Sequence, residues 1–297
     1  MSVEISGLAK RSSLAKFMTA SHSHAISRVI ARATTCSRRF SARKKTMAFD
    51  RRYFLAGLLA CPLCAAAARA DSEPHWGYDC PDGPNSWGSL DPKYRACTIG
   101  AQQSPIALDG ALSTDVGDLT VDWPPEKYEI INNGHTIQAA AKTGSLKLGD
   151  RTFMLKEFHF HTPSEHAVNK VEHYDLEAHF VHENADYGLA VVGVFMRVGA
   201  ANKAFSTIMR FAPTGHNEHR PLPDALDATG LLPPEKARTR YRYEGSLTIP
   251  PCSETVDWNI FAQPVSVAEG DFNKFKGLYS NNARPLQSLN RRFLLKG

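Results

Sequence analysis

Cysteine is scarce and scattered, six residues in 297, with no grouping that offers the thiolate-rich ligand set of a closed structural zinc site. A membrane-spanning run is missing too. The one long apolar stretch, Phe54 to Ala68, is about 15 residues interrupted by Pro62, short of the roughly 20 that cross a bilayer. No repeat period is present, which excludes solenoids and propellers. Beyond residue 70 no segment of linker composition divides the chain.

Acidic side chains are nearly missing from the front. Residues 1–70 hold 13 of the 35 Lys and Arg, but only Glu4 and Asp50 of the 30 acids. Residues 1–46 are basic and rich in Ser, Thr and Ala. They read as an N-terminal extension from an over-extended start, with an organelle transit peptide as the alternative. Residues 47–70 read as a bacterial export signal of twin-arginine type: Arg51-Arg52, the apolar run, then Ala68-Arg69-Ala70 before Asp71. Leu58-Leu59-Ala60-Cys61 also fits a lipoprotein cleavage box, so a lipid on Cys61 is the minor alternative. Without residues 1–70 the chain carries 22 basic and 28 acidic residues, a net of −6 against +5 for the whole. That balance disfavours a nucleic-acid partner. The expected mature form is periplasmic or secreted, a monomer or dimer without a stable membrane span.

Export bears on the remaining cysteines, Cys80, Cys97 and Cys252, among which an oxidising compartment permits one bridge in three possible pairings. A Cys97–Cys252 bridge would close a loop of about 155 residues. In the chain-entropy account that is worth ~5 kcal/mol, with Cys80 left over.

Residues 71–297 read as a single α+β domain on a large, mostly antiparallel central β-sheet with short peripheral helices. Apolar or alternating runs at Tyr128–Ile131, Thr136–Ala141, Thr152–His161, Leu176–His182, Leu189–Val198 and Val256–Ala262 predict strands. Turn signals such as Asn132-Asn133-Gly134 and Gly149-Asp150 separate them. Asn202–Met209, Pro223–Ala228 and Val267–Ser280 are the predicted helices.

Side chains alternate along a strand, so Glu157, His159 and His161 share one face while Phe158 and Phe160 take the other. On the second strand Glu177, His179 and Val181 share a face. Two strands of this kind bring three imidazoles together and leave a fourth coordination position open, the arrangement of a catalytic zinc. Glu157 and Glu177 each precede a candidate ligand by two residues, placed to take its second N–H and fix the tautomer. His166, His173 and His182 are decoys, and His182, on the face opposite His179, reads as a hydrogen-bonded structural histidine.

His75-Trp-Gly-Tyr78, Gln103-Ser-Pro-Ile106, Asn132-Asn-Gly-His135, Glu157-Phe-His-Phe-His-Thr-Pro-Ser-Glu-His166, Leu176-Glu-Ala-His-Phe-Val-His182, Gly245-Ser-Leu-Thr-Ile-Pro-Pro-Cys252 and Asn282-Ala-Arg-Pro285 follow one another along the chain. In this order they resemble the α-class carbonic anhydrases over residues 75–297. The resemblance implies zinc on His159, His161 and His179, with Glu157 and Glu177 behind the ligands. It implies reversible hydration of carbon dioxide to bicarbonate and a proton, through hydroxide on the zinc and a histidine proton shuttle at His135. Thr248 would accept a hydrogen bond from the nucleophile while donating to Glu165. Tyr78 and Asn133 would order the water between, and Val181, Val191, Leu247, Val256 and Trp258 would form the apolar wall for carbon dioxide. The resemblance also selects the Cys97–Cys252 pairing.

For His135 an ordinary imidazole pKa near 6.5 would suit the relay. Two departures stand out: Glu157 where the family commonly has glutamine, and Ile249 where a second threonine is frequent. They predict altered anion or inhibitor affinity with activity retained. A binding module that has lost catalysis would lack a ligand, and none is lacking. A zinc esterase of another class would need a general base beside the metal, whereas the nearest glutamates read as partners of the ligands.

Overall fold

The computed structural model describes residues 74–297. The extension at 1–46, the signal at 47–70 and Cys61 lie outside the described residues. Twelve strands form one sheet: β1 (Leu112–Ser113), β2 (Leu119–Asp122), β3 (Glu129–Asn132), β4 (Ile137–Ala140), β5 (Ser145–Leu148), β6 (Arg151–His161), β7 (Leu176–Glu183), β8 (Leu189–Val198), β9 (Glu218–Pro221), β10 (Arg240–Gly245), β11 (Val256–Val267) and β12 (Leu295–Lys296). Their order is β1-β12-β10-β11-β8-β7-β6-β4-β3-β9, with β5 joining β2 to β6. Pairing is antiparallel except at β8/β11 and β1/β12. The four longest strands, β6, β7, β8 and β11, sit side by side at the centre. β8 is buried on both faces over residues 190–196, and its near-continuous apolar run reflects that.

The two faces carry different chemistry. On one, Phe158, Phe160, Ala178, Phe180, Val192 and Val194 pack into the larger core. A helix at Lys203–Phe211 covers it with Phe205, Ile208 and Met209; the Asn202 side chain caps that helix on Ala204 N and Phe205 N. A second helix, Glu269–Leu278, adds Phe275. The other face carries the histidines and a smaller cluster around Val191, Val256, Trp258 and Ile260. Gly193, opposite His179 in the ladder, keeps this face open: a Cβ there would lie 3.1 Å from Glu177 Oε1.

The predicted helix at Pro223–Ala228 is not formed. Leu226 pairs with Glu126 in an isolated bridge, and Asp227 instead caps a short 3-10 turn, Ala228–Leu231. Tertiary pairing overrides a local preference here. The β10 strand was not expected, because Arg240 and Arg242 disguise its alternation. Arg242 is paired with Asp257, while Arg240 bonds Asn259 Oδ1 and the Val116 carbonyl. Cys97 and Cys252 form a disulfide across 155 residues, and Cys80 lies exposed outside it.

Candidate metal centre and active site

In the β6/β7 ladder His159 stands directly opposite His179, and His161 opposite Glu177. Ring centres are 5.3 Å apart for His159 and His179, 4.9 Å for His159 and His161, and 4.6 Å for His161 and His179. One ligand nitrogen from each ring lies within 4.8 Å of the other two. The second nitrogen of each is engaged. His159 Nδ1 meets both oxygens of Glu157 at 3.0 Å. His161 Nδ1 donates to the Asn282 carbonyl at 2.7 Å, and His179 Nε2 to Glu177 Oε1 at 2.9 Å. A neutral ring that donates outward presents a lone pair inward, the form a metal takes.

Whether the residues suit a metal is tested by what is left over. His161 Nε2 and Glu165 Oε2 are buried without a hydrogen-bond partner among the described residues. They stand 3.6 Å apart. Orphaned buried polar atoms are costly, and here they face the point where the rings converge. The three-histidine donor set therefore fits a divalent cation with an open position.

Electrostatics agree. Burial pushes His161 down to about 3, helped by the neighbouring His159, and pushes His179 down to about 4 against the pull of Glu177. Both rings are neutral at pH 7. For His159 burial also acts downward, but the charge and hydrogen bond of Glu157 outweigh it and raise the value. Glu177 is held well below the usual carboxylate range: burial is overcome by His166 and His179. That carboxylate serves two histidines, since His166 meets it through Nδ1 at 2.7 Å and through its backbone N–H at 2.9 Å. From there a chain runs through Tyr243 Oη, 2.7 Å from His166 Nε2, to Ser104 Oγ at 2.8 Å.

Thr248 is buried against Glu165, whose Oε1 accepts from Arg284 N at 2.8 Å. Burial nonetheless raises Glu165 above its ordinary value. Val181, Val191 and Trp258 are neighbours across β7, β8 and β11, and with Val256 and Leu247 they form one apolar cluster. The Trp258 ring lies 4.9 Å from that of His179. Ile249 is half-buried beside Thr248.

The proposed relay residue is placed differently from the simple expectation. His135 stacks flat on Trp76, with centres 3.7 Å apart and planes 6° apart. Its pKa is lowered to about 4 rather than standing near 6.5, by burial first and then by His75 and His216. Asn133 spends its side chain on the turn itself, accepting from His135 N and Thr136 N and donating to Gln138. Tyr78 is half-buried, edge-on to Trp76.

Sequence reasoning missed several partners. Asn282 stands in a quoted motif but was given no role. It bonds His161 through its carbonyl and the His135 carbonyl through its amide. His166, taken for a decoy, shares Glu177 with His179. His182 accepts from Trp123 Nε1 and bonds the Ala190 carbonyl, away from the triad.

An imidazole triad with one open side, set on the sheet beside an apolar wall, is the kind of site at which an enzyme could hold a metal ion. Comparison with known proteins makes this specific. The family described as eukaryotic-type carbonic anhydrase matches residues 82–296. The carbonic anhydrase of Pectobacterium atrosepticum is 36% identical over 239 residues, 80% of this chain and 96% of that protein. That of Neisseria gonorrhoeae is 37% identical over 242 residues, 80% and 94% of the two chains. The α-carbonic anhydrase of Thermovibrio ammonificans, solved with the inhibitor sulfanilamide, superposes with a TM-score of 0.72 at 40% identity, over 75% and 99% of the chains. The chain belongs to the eukaryotic-type, or α-class, carbonic anhydrase family, and with it to the lyases.

Proposed function

We propose that this enzyme catalyses the reversible hydration of carbon dioxide to bicarbonate and a proton, with zinc held by His159, His161 and His179. The observation that carries this is the buried, unpartnered His161 Nε2 facing a point shared with two further rings. Bound there, zinc supplies a nucleophile at neutral pH by acidifying water, as is known for carbonic anhydrases generally.

The remaining roles belong to the chain. Glu157, Asn282 and Glu177 hold the tautomers and aim the rings. Thr248, by donating to Glu165, is left able only to accept from the attacking oxygen, which turns a lone pair toward carbon. Val181, Val191, Leu247, Val256 and Trp258 offer carbon dioxide a dry surface beside the rings. His135 passes the excess proton to solvent, with Tyr78 and Asn133 beside the path. Simple esters are slow alternative substrates for the same nucleophile.

Residues 47–70 act as a twin-arginine-type signal ahead of a catalytic domain at 71–297, delivering the enzyme to the periplasm or medium. The Cys97–Cys252 bridge and the bacterial relatives support export. Among the described residues no helix is long and apolar enough to cross a membrane. Stopped-flow carbon dioxide hydration by residues 71–297 tests the activity: the rate should collapse on chelation and return with stoichiometric zinc. A rate indifferent to zinc removal would refute the proposal.

A further inference from the structure

Two further imidazoles stand at the rim around His135. His75 is exposed and pairs with Asp82 at 3.3 Å. The other, His216, is tied to the turn that carries His135. The inner side of that turn is well held: Asn282 Nδ2 donates to the His135 carbonyl at 3.0 Å, and Asn132 Oδ1 accepts from Gly134 N at 3.1 Å and from the Tyr279 hydroxyl. On the outer side, His216 Nε2 donates to the Asn133 carbonyl at 3.2 Å.

The ring of His216 also packs directly on Gly134. A Cβ built on Gly134 would stand 2.3 Å from His216 Nε2 and 2.6 Å from Cδ2. Gly134 has φ +87°, a conformation that L side chains rarely adopt. The bare glycine therefore serves both the turn and the seat for this ring. The loop bearing His216 is anchored in turn, Asn217 N donating to the Asn132 carbonyl at 2.7 Å and Gly215 N to Glu218 Oε2 at 3.0 Å. Of the charged groups nearby, Glu218 and Arg220 are paired with each other on β9, at 2.6 Å. His135 lies across the turn, where it feels the charges of His75 and His216.

We propose that His216 is a positioning residue for the proton relay, clamping the Asn133–Gly134 peptide from outside so that His135 is held at the rim against Trp76. This rests on the reading of His135 as the relay. A clamp of this kind acts on proton departure, which enters kcat in weak buffer. It does not act on attack at carbon dioxide, which enters kcat/KM.

The experiment is carbon dioxide hydration by the zinc-loaded enzyme in weak and strong buffer, with NMR titration of the His135 ring. The variants are His216→Ala, His216→Gln, His135→Ala and the His135→Ala/His216→Ala double. Expected for His216→Ala is a fall of about threefold in weak-buffer kcat, the scale of one lost hydrogen bond, with kcat/KM unchanged and the His135 signal shifted. The His216→Gln amide still reaches the Asn133 carbonyl and should recover most of the loss. The double variant should be no worse than His135→Ala. A parallel fall in kcat/KM, a glutamine variant as poor as alanine, or additive loss in the double variant overturns the clamp. Full weak-buffer kcat in His135→Ala overturns the relay reading itself, and the clamp with it.

Discussion

At the triad, each ring has one nitrogen committed to a partner at 3.0 Å or less: Glu157, the Asn282 carbonyl or Glu177. At the rim, His135 makes no ring hydrogen bond among the described residues and is placed by stacking and by its backbone alone. The triad is thus preorganised by directional bonds in a dry setting, where each such bond counts for more. The rim is held by contacts that tolerate movement. The difference suits the two tasks proposed above, since an ion needs fixed donors and a departing proton needs a group that meets solvent. Changes at the buried centre should be severe, and changes near the rim graded.

The harshest test is His179→Ala, which should abolish stoichiometric zinc and lower kcat/KM by about four orders of magnitude, read by metal analysis and stopped flow. Retained zinc and activity would erase the contrast. Next, Cys97→Ser should lower unfolding free energy by up to ~5 kcal/mol in urea melts of the zinc-loaded enzyme. Thr248→Ala should keep its zinc yet lose roughly 100-fold in kcat/KM. That outcome would separate holding the ion from orienting the attack.

A gentler effect concerns His182, buried far from the triad in contacts and lowered to about 4, by burial first, with the Ala190 and Phe180 carbonyls opposing. Below its ordinary 6.5 the unfolded chain takes up a proton that the folded chain refuses. Its contribution is therefore complete above pH 6.5 and declines as pH falls toward 4. In His182→Gln the slope of stability against pH in that window should lessen by up to about 1.4 kcal/mol per unit. Smallest is Ile249→Thr, which adds a hydroxyl beside Thr248. Anion inhibition should change about two- to tenfold with turnover nearly constant.

What was legible in sequence was what is local. Alternation placed His159, His161 and Glu157 on one face of the first strand and Glu177 and His179 on one face of the second, because strand periodicity is a property of consecutive residues. The register that sets His159 against His179 is not, and neither is the carbonyl of Asn282, which comes from 121 residues beyond His161. The bridge between Cys97 and Cys252 followed from resemblance, since three pairings were open on spacing. Strands as short as β1, β2 and β12 exist only by pairing with partners distant in sequence, and carry no signal of their own. Trp76 against His135 escaped for the same reason: a ring stack across 59 residues has no periodicity.

Glu177 holds His166 as well as His179, so both of its oxygens are engaged by the protein's own donors. Two separate segments of the chain thus brace one carboxylate. Chelation should therefore leave an intact vessel, one that refills without remaking the sheet around it.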